Sequence, residues 1–396
     1  MSGSKKLNIE YALSQALFWM GFCIVISYAA VYLQSLGYSN AELGIILALG
    51  NLISFVASNE TGRFIDSSEK LSAGAAIYIN LAVGFLMAVL LCFLRVKSTA
   101  VTIVYIIYIM STNNVSSLLL KLWADFQHAG ENVDFGTARA AGSGFYVVIS
   151  IILGRLIIKT SVFILPFISA AIIIIQALIN AALTKDLDNS DCTSENAESR
   201  GGIIDFIKNY TNFCLLLLGL LVIFTAYNAY NNFAINVVRN LGGDSADMGY
   251  ILGFNGALEI IPMILYNKFR EKFSSRAILI AASIFFTLKV FAVCIAGSMT
   301  TLYLAYSLQI LAFAIYAPAI VDYVSENIPY EYSAFAQSLA YGMTTIGTVL
   351  SSIIFGKLYD ILSVKATLET AVAVSIVGTA LCLISLIRQK KINSKN

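Results

Sequence analysis

The sequence predicts an all-α membrane protein with twelve transmembrane helices arranged as two bundles of six. Of its 396 residues, 58% are hydrophobic and only 12% are charged, about half the charged fraction of a typical soluble domain. The hydrophobic residues form long runs that lack the alternation of β-barrel strands, and about 20 such residues span a bilayer as a helix. We therefore expect a multi-pass protein of the cell membrane.

Twelve hydrophobic runs define the predicted spans. The first run is too long for a signal peptide, and no small-residue cleavage site follows it, so we expect it to stay as an anchor. The runs lie at residues 11–34, 39–58, 72–94, 99–122, 136–158, 161–183, 211–236, 247–266, 276–297, 300–324, 332–356 and 366–388.

The distribution of basic residues predicts the orientation of the chain. Most of the 25 lysines and arginines fall in segments that are cytoplasmic if the N-terminus is inside the cell. The positive-inside rule therefore places both termini in the cytoplasm. This basic character indicates topology, and we expect no nucleic-acid partner.

A polar stretch divides the chain into two halves. Residues Thr184–Gly202 are acidic, rich in Ser and Asn, and without apolar periodicity, which is typical of a flexible linker. We predict an N-terminal bundle over 1–184, a cytoplasmic linker over 185–208 and a C-terminal bundle over 209–396. The halves also share a faint repeat, "SIILGRLIIK" in span five and "SSIIFGKLYD" in span eleven. Such duplication is typical of alternating-access carriers with a site near the bilayer midplane.

Enzyme motifs are missing from the sequence. We find no phosphate-binding loop, zinc-ligand spacing, nucleophile elbow or dinucleotide fingerprint. We therefore predict that the protein is not an enzyme and uses no cofactor or metal. The six cysteines show no disulfide or metal spacing and are interpreted as packing residues.

Charged residues inside the predicted spans are the first functional candidates. A charge there costs at least about 2.5–3.5 kcal/mol, so it usually faces a cavity or a partner. Asp322 lies near a cytoplasmic span end, within reach of water. Lys121 is equally compatible with reaching the headgroups. Glu259 and Lys289 lie deeper, in consecutive spans. For these two residues, a structural ion pair is the alternative to a functional role.

Arg139 lies in the segment "VDFGTARAAGSGFY", near the cytoplasmic start of span five. Three glycines surround it and indicate close helix packing, which directs Arg139 toward the bundle interior rather than the headgroups. The planar guanidinium suits bidentate bonds to hydroxyls, carboxylates or phosphates. Tyr146 follows two helical turns later on the same face and offers a ring for stacking. Packing between helices is the alternative role for Tyr146.

The same segment resembles the span-five motif of the major facilitator superfamily, in the branch of the lactose permease and related oligosaccharide, nucleoside and phenylpropionate proton symporters. "GALEIIP" around Glu259 is similar to that branch's span-eight motif. "YSNAELGIILALGN" and "GRFID" resemble its span two, and Ser333–Asp360 resembles its span eleven. The resemblance implies the major facilitator fold. It also implies that Arg139 grips substrate hydroxyls, that Tyr146 stacks on a sugar ring and that Glu259 is the coupling carboxylate.

The chain departs from this branch at several functional positions. Gln309 and Ala312 stand where the lactose permease has the His and Glu of proton coupling. Tyr227 and Tyr230 replace two aspartates of span seven. Lys121 stands in place of a span-four Glu, whereas the positive charge of the span-nine Arg is retained in kind as Lys289. These departures argue against lactose as the solute and leave Glu259 as the one deep carboxylate for a coupled proton.

The resulting functional prediction is a secondary active transporter that moves a small hydrophilic solute, of the sugar or nucleoside class, by proton symport. Its predicted partners are the solute, protons and the lipid bilayer, and we expect a monomer. Two alternatives stay open: an uncoupled carrier or exchanger for an organic anion, and a non-transporting membrane sensor. Neutral amides for solute binding are Asn114, Asn231, Asn255 and Gln309, with helix–helix contact as the alternative. The predicted substrate-binding set is Arg139, Tyr146, Asn114, Lys121, Asn231, Lys289 and Gln309, with Glu259 for proton coupling.

Overall fold

The computed structural model describes residues 3–67, 72–184 and 203–393, and within these ranges every regular element is helical. Eleven helices of this part are long and apolar enough to cross a membrane. The remaining predicted run, 247–266, lies inside a further helix of 28 residues, Ser245–Lys272. The predicted all-α membrane architecture is therefore confirmed. The cytoplasmic placement of the termini stays a prediction.

The helices cluster into two compact units. The first unit comprises Met1–Glu195 together with Asp244–Gly256, and the second comprises Asn196–Gly243 together with Ala257–Asn396. Most of the predicted linker lies outside the described residues, but a short helix begins at Ile203, inside its predicted end. The predicted domain boundaries at residues 184 and 209 stay a prediction.

In the first unit, an irregular turn interrupts the predicted first span. The residues Cys23–Ser27 form a single π-helical turn, and Tyr28 then leaves helical geometry with φ −96° and ψ 5°. Such turns are frequent at functional sites. The helices are α1 (Gly3–Phe22), α2 (Ala29–Ser35), α3 (Asn40–Ser67), α4 (Ala73–Phe93), α5 (Thr99–His128), α6 (Phe135–Lys159) and α7 (Ile164–Thr184).

In the second unit, the hydrophobic pattern predicted one continuous helix over the run 300–324, and this prediction is wrong. The run breaks at a 3₁₀ turn, Leu308–Leu311, after which Ala312 has φ −100° and ψ −101°. Broken helices in transporters often carry binding groups. The helices are α8 (Ile203–Asn209), α9 (Thr211–Asn231), α10 (Ala234–Asn240), α11 (Ser245–Lys272), α12 (Ser275–Ile295), α13 (Met299–Ser307), α14 (Phe313–Asn327), α15 (Tyr330–Ile361) and α16 (Val364–Asn393). Helix α11 is divided, and its residues up to Gly256 belong to the first unit.

The same turn follows the broken helix α1–α2 and the broken helix α9–α10. Its sequences are "LGYSNAELG" from Leu36 and "LGGDSADMG" from Leu241. Gly37 and Gly242 both adopt positive φ, at 90° and 81°, a conformation that favours glycine. In both turns the residue two places after the glycine exchanges capping hydrogen bonds with an acidic residue three places further on. This repeat supports the duplication that the sequence predicts.

Helices α9 and α16 approach each other at two glycines in the second unit. A Cβ on Gly219 would lie 2.9 Å from the Gly378 carbonyl oxygen and 2.8 Å from the Cys382 nitrogen. Both obstacles are backbone atoms, which cannot rotate away. The crossing therefore depends on the absence of a side chain at Gly219.

We expect Gly219→Ala to lower the unfolding temperature of the purified protein, because the added methyl group forces α9 and α16 apart. Overpacking of this kind typically destabilises by about 1–3 kcal/mol. The control is Gly144→Ala on α6, where a Cβ meets nothing within 4 Å. Equal unfolding temperatures for the two variants would contradict the packing argument.

Candidate transport site

A chain of hydrogen bonds links Lys289 to Glu259 through Gln309 in the second unit. The Lys289 ammonium donates to Gln309 Oε1 at 2.6 Å, and Gln309 Nε2 donates to Glu259 Oε1 at 2.7 Å. The Tyr227 hydroxyl also donates to Gln309 Oε1, at 3.0 Å. We call these four residues the Gln309 network.

The 3₁₀ turn explains how Gln309 comes to lie between two charges. Gln309 is fully buried in this turn, and Lys289 on α12 is likewise 0% exposed. A glutamine carries an acceptor and two donors, so one amide can face a cation on one side and a carboxylate on the other. A direct ion pair between Glu259 and Lys289 is the structural alternative expected from the sequence. In the structure, Gln309 lies between these two residues and bonds to both.

Three tyrosine rings surround the Lys289 ammonium. The Nζ atom lies 4.5 Å from the ring centre of Tyr306, 5.3 Å from that of Tyr227 and 5.5 Å from that of Tyr230. A cation is attracted by the face of an aromatic ring within about 6 Å. Tyr227, Tyr230 and Tyr306 therefore form an aromatic cage for Lys289. Tyr306 is not among the site residues predicted from the sequence, because no sequence spacing links it to Lys289.

In the first unit, Arg139 stacks on a tryptophan. The guanidinium carbon lies 4.0 Å from the centre of the Trp19 ring, and Arg139 Nη1 donates to Ser143 Oγ at 2.8 Å. Trp19 also packs edge-on against Tyr146, with ring centres 6.5 Å apart. Arg139 and Tyr146 thus share Trp19 as a neighbour. The prediction from their spacing did not include this residue.

A glycine and a helix cap position the side chains of Arg139, Trp19 and Tyr146. A Cβ on Gly142 would lie 2.4 Å from the Trp19 ring, so Gly142 makes room for the indole. Helix α6 begins one turn before Arg139, where Asp134 accepts from the Thr137 N–H at 3.1 Å. Hydrogen bonds from the Thr137 hydroxyl and then from the Thr137 backbone N–H hold the pKa of the Asp134 carboxyl below its usual range. The Tyr146 hydroxyl bonds Ser27 Oγ in the π-helical turn, at 2.9 Å.

Other predicted site residues bond to neighbouring helices or to their own helix. Asn114 is 3% exposed; it accepts from Ser58 Oγ at 2.6 Å and donates to Asn80 at 3.4 Å. Asn231 donates to the Tyr227 carbonyl of its own helix at 3.1 Å. Lys121 lies 3.5 Å from Asp125, one turn further along α5.

Asp322 belongs to a separate polar group in the second unit. The sequence predicted no role in transport for this residue. Asp322 accepts from the Tyr266 hydroxyl at 2.7 Å and from Arg270 Nε at 3.1 Å. These contacts join α11 to α14. They are consistent with the predicted position of Asp322 near a span end.

The membrane-crossing helices form two compact units, and some of them break near buried polar side chains. This combination is typical of a secondary transporter of the major facilitator type. The MFS_1 like family matches residues 10–370 of the chain, and the chain belongs to this family. This membership confirms the predicted transporter class, the multi-pass cell-membrane location and the prediction that the protein is not an enzyme.

Two relatives and two solved structures show the extent of the similarity. The chain is 24% identical over 388 residues to the quinolone resistance protein NorA of Staphylococcus aureus (strain MRSA252), covering 96% of both chains. It is 22% identical over 342 residues to the uncharacterized MFS-type transporter YxaM of Bacillus subtilis (strain 168), covering 82% of both. The crystal structure of the nucleoside transporter NupG superimposes with a TM-score of 0.82 at 14% identity, covering 97% of this chain and 99% of that one. The peptide transporter POT in complex with sulfate gives 0.75 at 11% identity, covering 98% and 95%. Both structures share the fold.

We expect a double-mutant cycle at Gln309 and Lys289 to be non-additive. Gln309→Leu removes the acceptor for the buried ammonium and should lower the unfolding temperature strongly. Lys289→Met added to it removes the charge and should restore part of the loss, with a coupling energy of about 0.5–3 kcal/mol. Thermal unfolding of the purified variants measures this coupling. Gln337→Leu, a half-buried glutamine on α15, is the control, and additive effects would exclude an energetic link.

Proposed function

We propose that this transporter moves a small hydrophilic solute of the sugar or nucleoside class by alternating access, coupled to protons by symport. The Gln309 network is the observation that carries the proposal. A half-buried carboxylate and a fully buried ammonium joined through one amide are costly in lipid, and intramembrane ionisable groups of this kind usually serve transport.

In this proposal, Glu259 carries the coupled proton. When Glu259 is ionised, it accepts a charge-assisted hydrogen bond from Gln309, which is stronger than a bond between neutral groups. Protonation weakens this bond and loosens the hold of the Gln309 amide on Lys289. The protonation state of Glu259 therefore changes the hydrogen bonding of the broken helix α13–α14.

The Arg139 group supplies the proposed solute contacts. The planar guanidinium of Arg139 carries five N–H donors in a fixed fork, and this geometry suits the hydroxyls of a sugar or ribose. Trp19 and Tyr146 place two rings beside it, which suits a ringed solute. The contacts of Asn114, Asn231 and Lys121 favour helix packing for these three residues over solute binding.

A second candidate function is the export of aromatic drug-like compounds. The observation that favours it is the similarity to proteins named for quinolone resistance over 96% of the chain. The Trp19 and Tyr146 rings next to Arg139 suit such a compound as well. The organic-anion alternative is weakened, because Lys121 lies beside Asp125 and adds little net positive charge.

The proposal is tested by pH recording with purified protein in weakly buffered, de-energised vesicles. Sugars, nucleosides, organic acids and quinolones are added one at a time outside the vesicles. Symport removes protons from the medium with its solute and makes the medium alkaline, whereas an exporter working by exchange acidifies it. Alkalinisation with a sugar or nucleoside supports the proposal. Acidification with a quinolone supports the second candidate.

We expect Glu259→Gln to lose the pH signal and to retain exchange of labelled solute, because the amide keeps the shape of the side chain and binds no proton. The matched control is Glu131→Gln in an exposed loop, which should keep both activities. An unchanged pH signal in Glu259→Gln would remove Glu259 from coupling. No solute entry at all in the wild-type protein would favour the sensor alternative.

We expect Arg139→Lys to weaken solute binding roughly 10- to 100-fold, since hydrogen bonds to a charged group contribute about 1.5–3 kcal/mol and lysine lacks the planar fork. Equilibrium binding of the solute found in the vesicle assay measures this loss. Arg155→Lys, near the other end of α6, is the control. Normal affinity in Arg139→Lys would place Arg139 outside the solute site.

A further inference from the structure

A small cavity lies among α1, α4, α5 and α7 of the first unit. Its volume is about 20 Å³. A water molecule needs roughly 10–15 Å³ of space for its centre and two to four polar partners. The cavity therefore has room for one water and is too small for a transported solute. Its polar lining consists of Asn80, Ser111, Thr112, Ser169 and Gln176.

Gln176 shows what kind of molecule this cavity accepts. Its side chain is 3% exposed, and its Nε2 atom is buried without a hydrogen-bond partner. A buried donor of this kind is destabilising unless an acceptor meets it. The group is a donor, so its partner must offer a lone pair, which excludes a metal cation as that partner.

Two oxygens of the lining are available as acceptors. Ser111 Oγ donates its own hydrogen to the Tyr108 carbonyl at 3.0 Å, which leaves its lone pairs available. Asn80 Oδ1 accepts one long hydrogen bond of 3.4 Å from Asn114 and has capacity for a second. One donor and two acceptors match the hydrogen-bonding capacity of a water molecule.

We propose that the first unit binds one structural water in this cavity, which accepts from Gln176 and donates to Ser111 and Asn80. This water extends the series Ser58–Asn114–Asn80 across α3, α5 and α4 to Ser111 on α5 and Gln176 on α7. Helices α4, α5 and α7 are then tied by one bridging molecule.

Asn80 belongs to the lining of two cavities. Besides the small one, it lines a larger cavity of about 650 Å³ between α3 and α4, together with Glu60, Arg63 and Phe64. The water site does not depend on the proposed solute or on proton coupling.

The test is X-ray radiolysis of the purified transporter in nanodiscs, followed by mass spectrometry. Brief X-ray pulses make hydroxyl radicals from bound water, and these oxidise adjacent side chains. Phe18 lines the cavity and is 3% exposed, and Phe126 on α5 is 2% exposed and outside the lining. We expect Phe18 to be oxidised several-fold faster than Phe126.

Two variants should abolish this difference. A Cβ on Gly84 lies 3.2 Å from Ser111 Oγ and 3.6 Å from Ile173 Cδ1, so Gly84→Ala puts a methyl group into the cavity and displaces the water. Gln176→Leu removes the donor with little change in volume. In both variants the oxidation rate of Phe18 should fall to that of Phe126.

Gly144→Ala is the matched control, because it makes the same substitution in α6 away from the cavity and should leave Phe18 oxidation unchanged. Gly84→Ala also keeps the test valid if Gln176→Leu does not fold, since alanine favours the helix. Equal oxidation of Phe18 and Phe126 in the wild-type protein overturns the proposal. Fast oxidation of Phe18 that persists in Gly84→Ala overturns it as well.

Discussion

The solvation of the Lys289 ammonium is the constraint on which the second unit depends. This group has no exposed surface, and a buried charge is tolerated only when other groups replace its hydration. The replacement comes from the Gln309 carbonyl oxygen and the rings of Tyr306, Tyr227 and Tyr230. The broken helix α13–α14 is part of this arrangement, because its 3₁₀ turn carries Gln309. The buried charge and the break in the helix therefore belong to one arrangement.

The first unit meets the same requirement in a different way. Its Arg139 lies on Trp19 and bonds Ser143, so an aromatic face and a hydroxyl replace the cage of three tyrosines. Deeper in the unit, the polar groups are neutral amides and hydroxyls, which are less expensive to bury than charges. Asn114 and its neighbours hold helices together there, and one proposed water completes their hydrogen bonds.

Duplication connects the two units. The turns at Gly37 and Gly242 share their backbone conformation, their capping pattern and four identical residues in the nine-residue segments that contain them. Both turns follow a broken helix, α1–α2 in one unit and α9–α10 in the other. Most of the other side chains in these segments differ, yet the capping pattern is the same in both. A glycine with positive φ and a reciprocal cap are sufficient to fix the turn. The two units differ in the charged side chains that they carry on this common frame, such as Arg139 in one and Lys289 in the other.

The sequence by itself determined the membrane class, the positions of the helices and the ionisable residues worth studying. A long hydrophobic run in lipid folds almost only as a helix. A charged residue within such a run is costly and therefore marks a candidate for function or for a buried partner. The seven-residue spacing of Arg139 and Tyr146 was also readable, because both lie on one helix. Only the tertiary structure decided that Trp19 stands between them, that Tyr306 closes the cage of Lys289 and that Gln309 bridges to Glu259. These contacts join residues from different helices, and the faces on which helices meet are set by packing, which hydropathy does not encode.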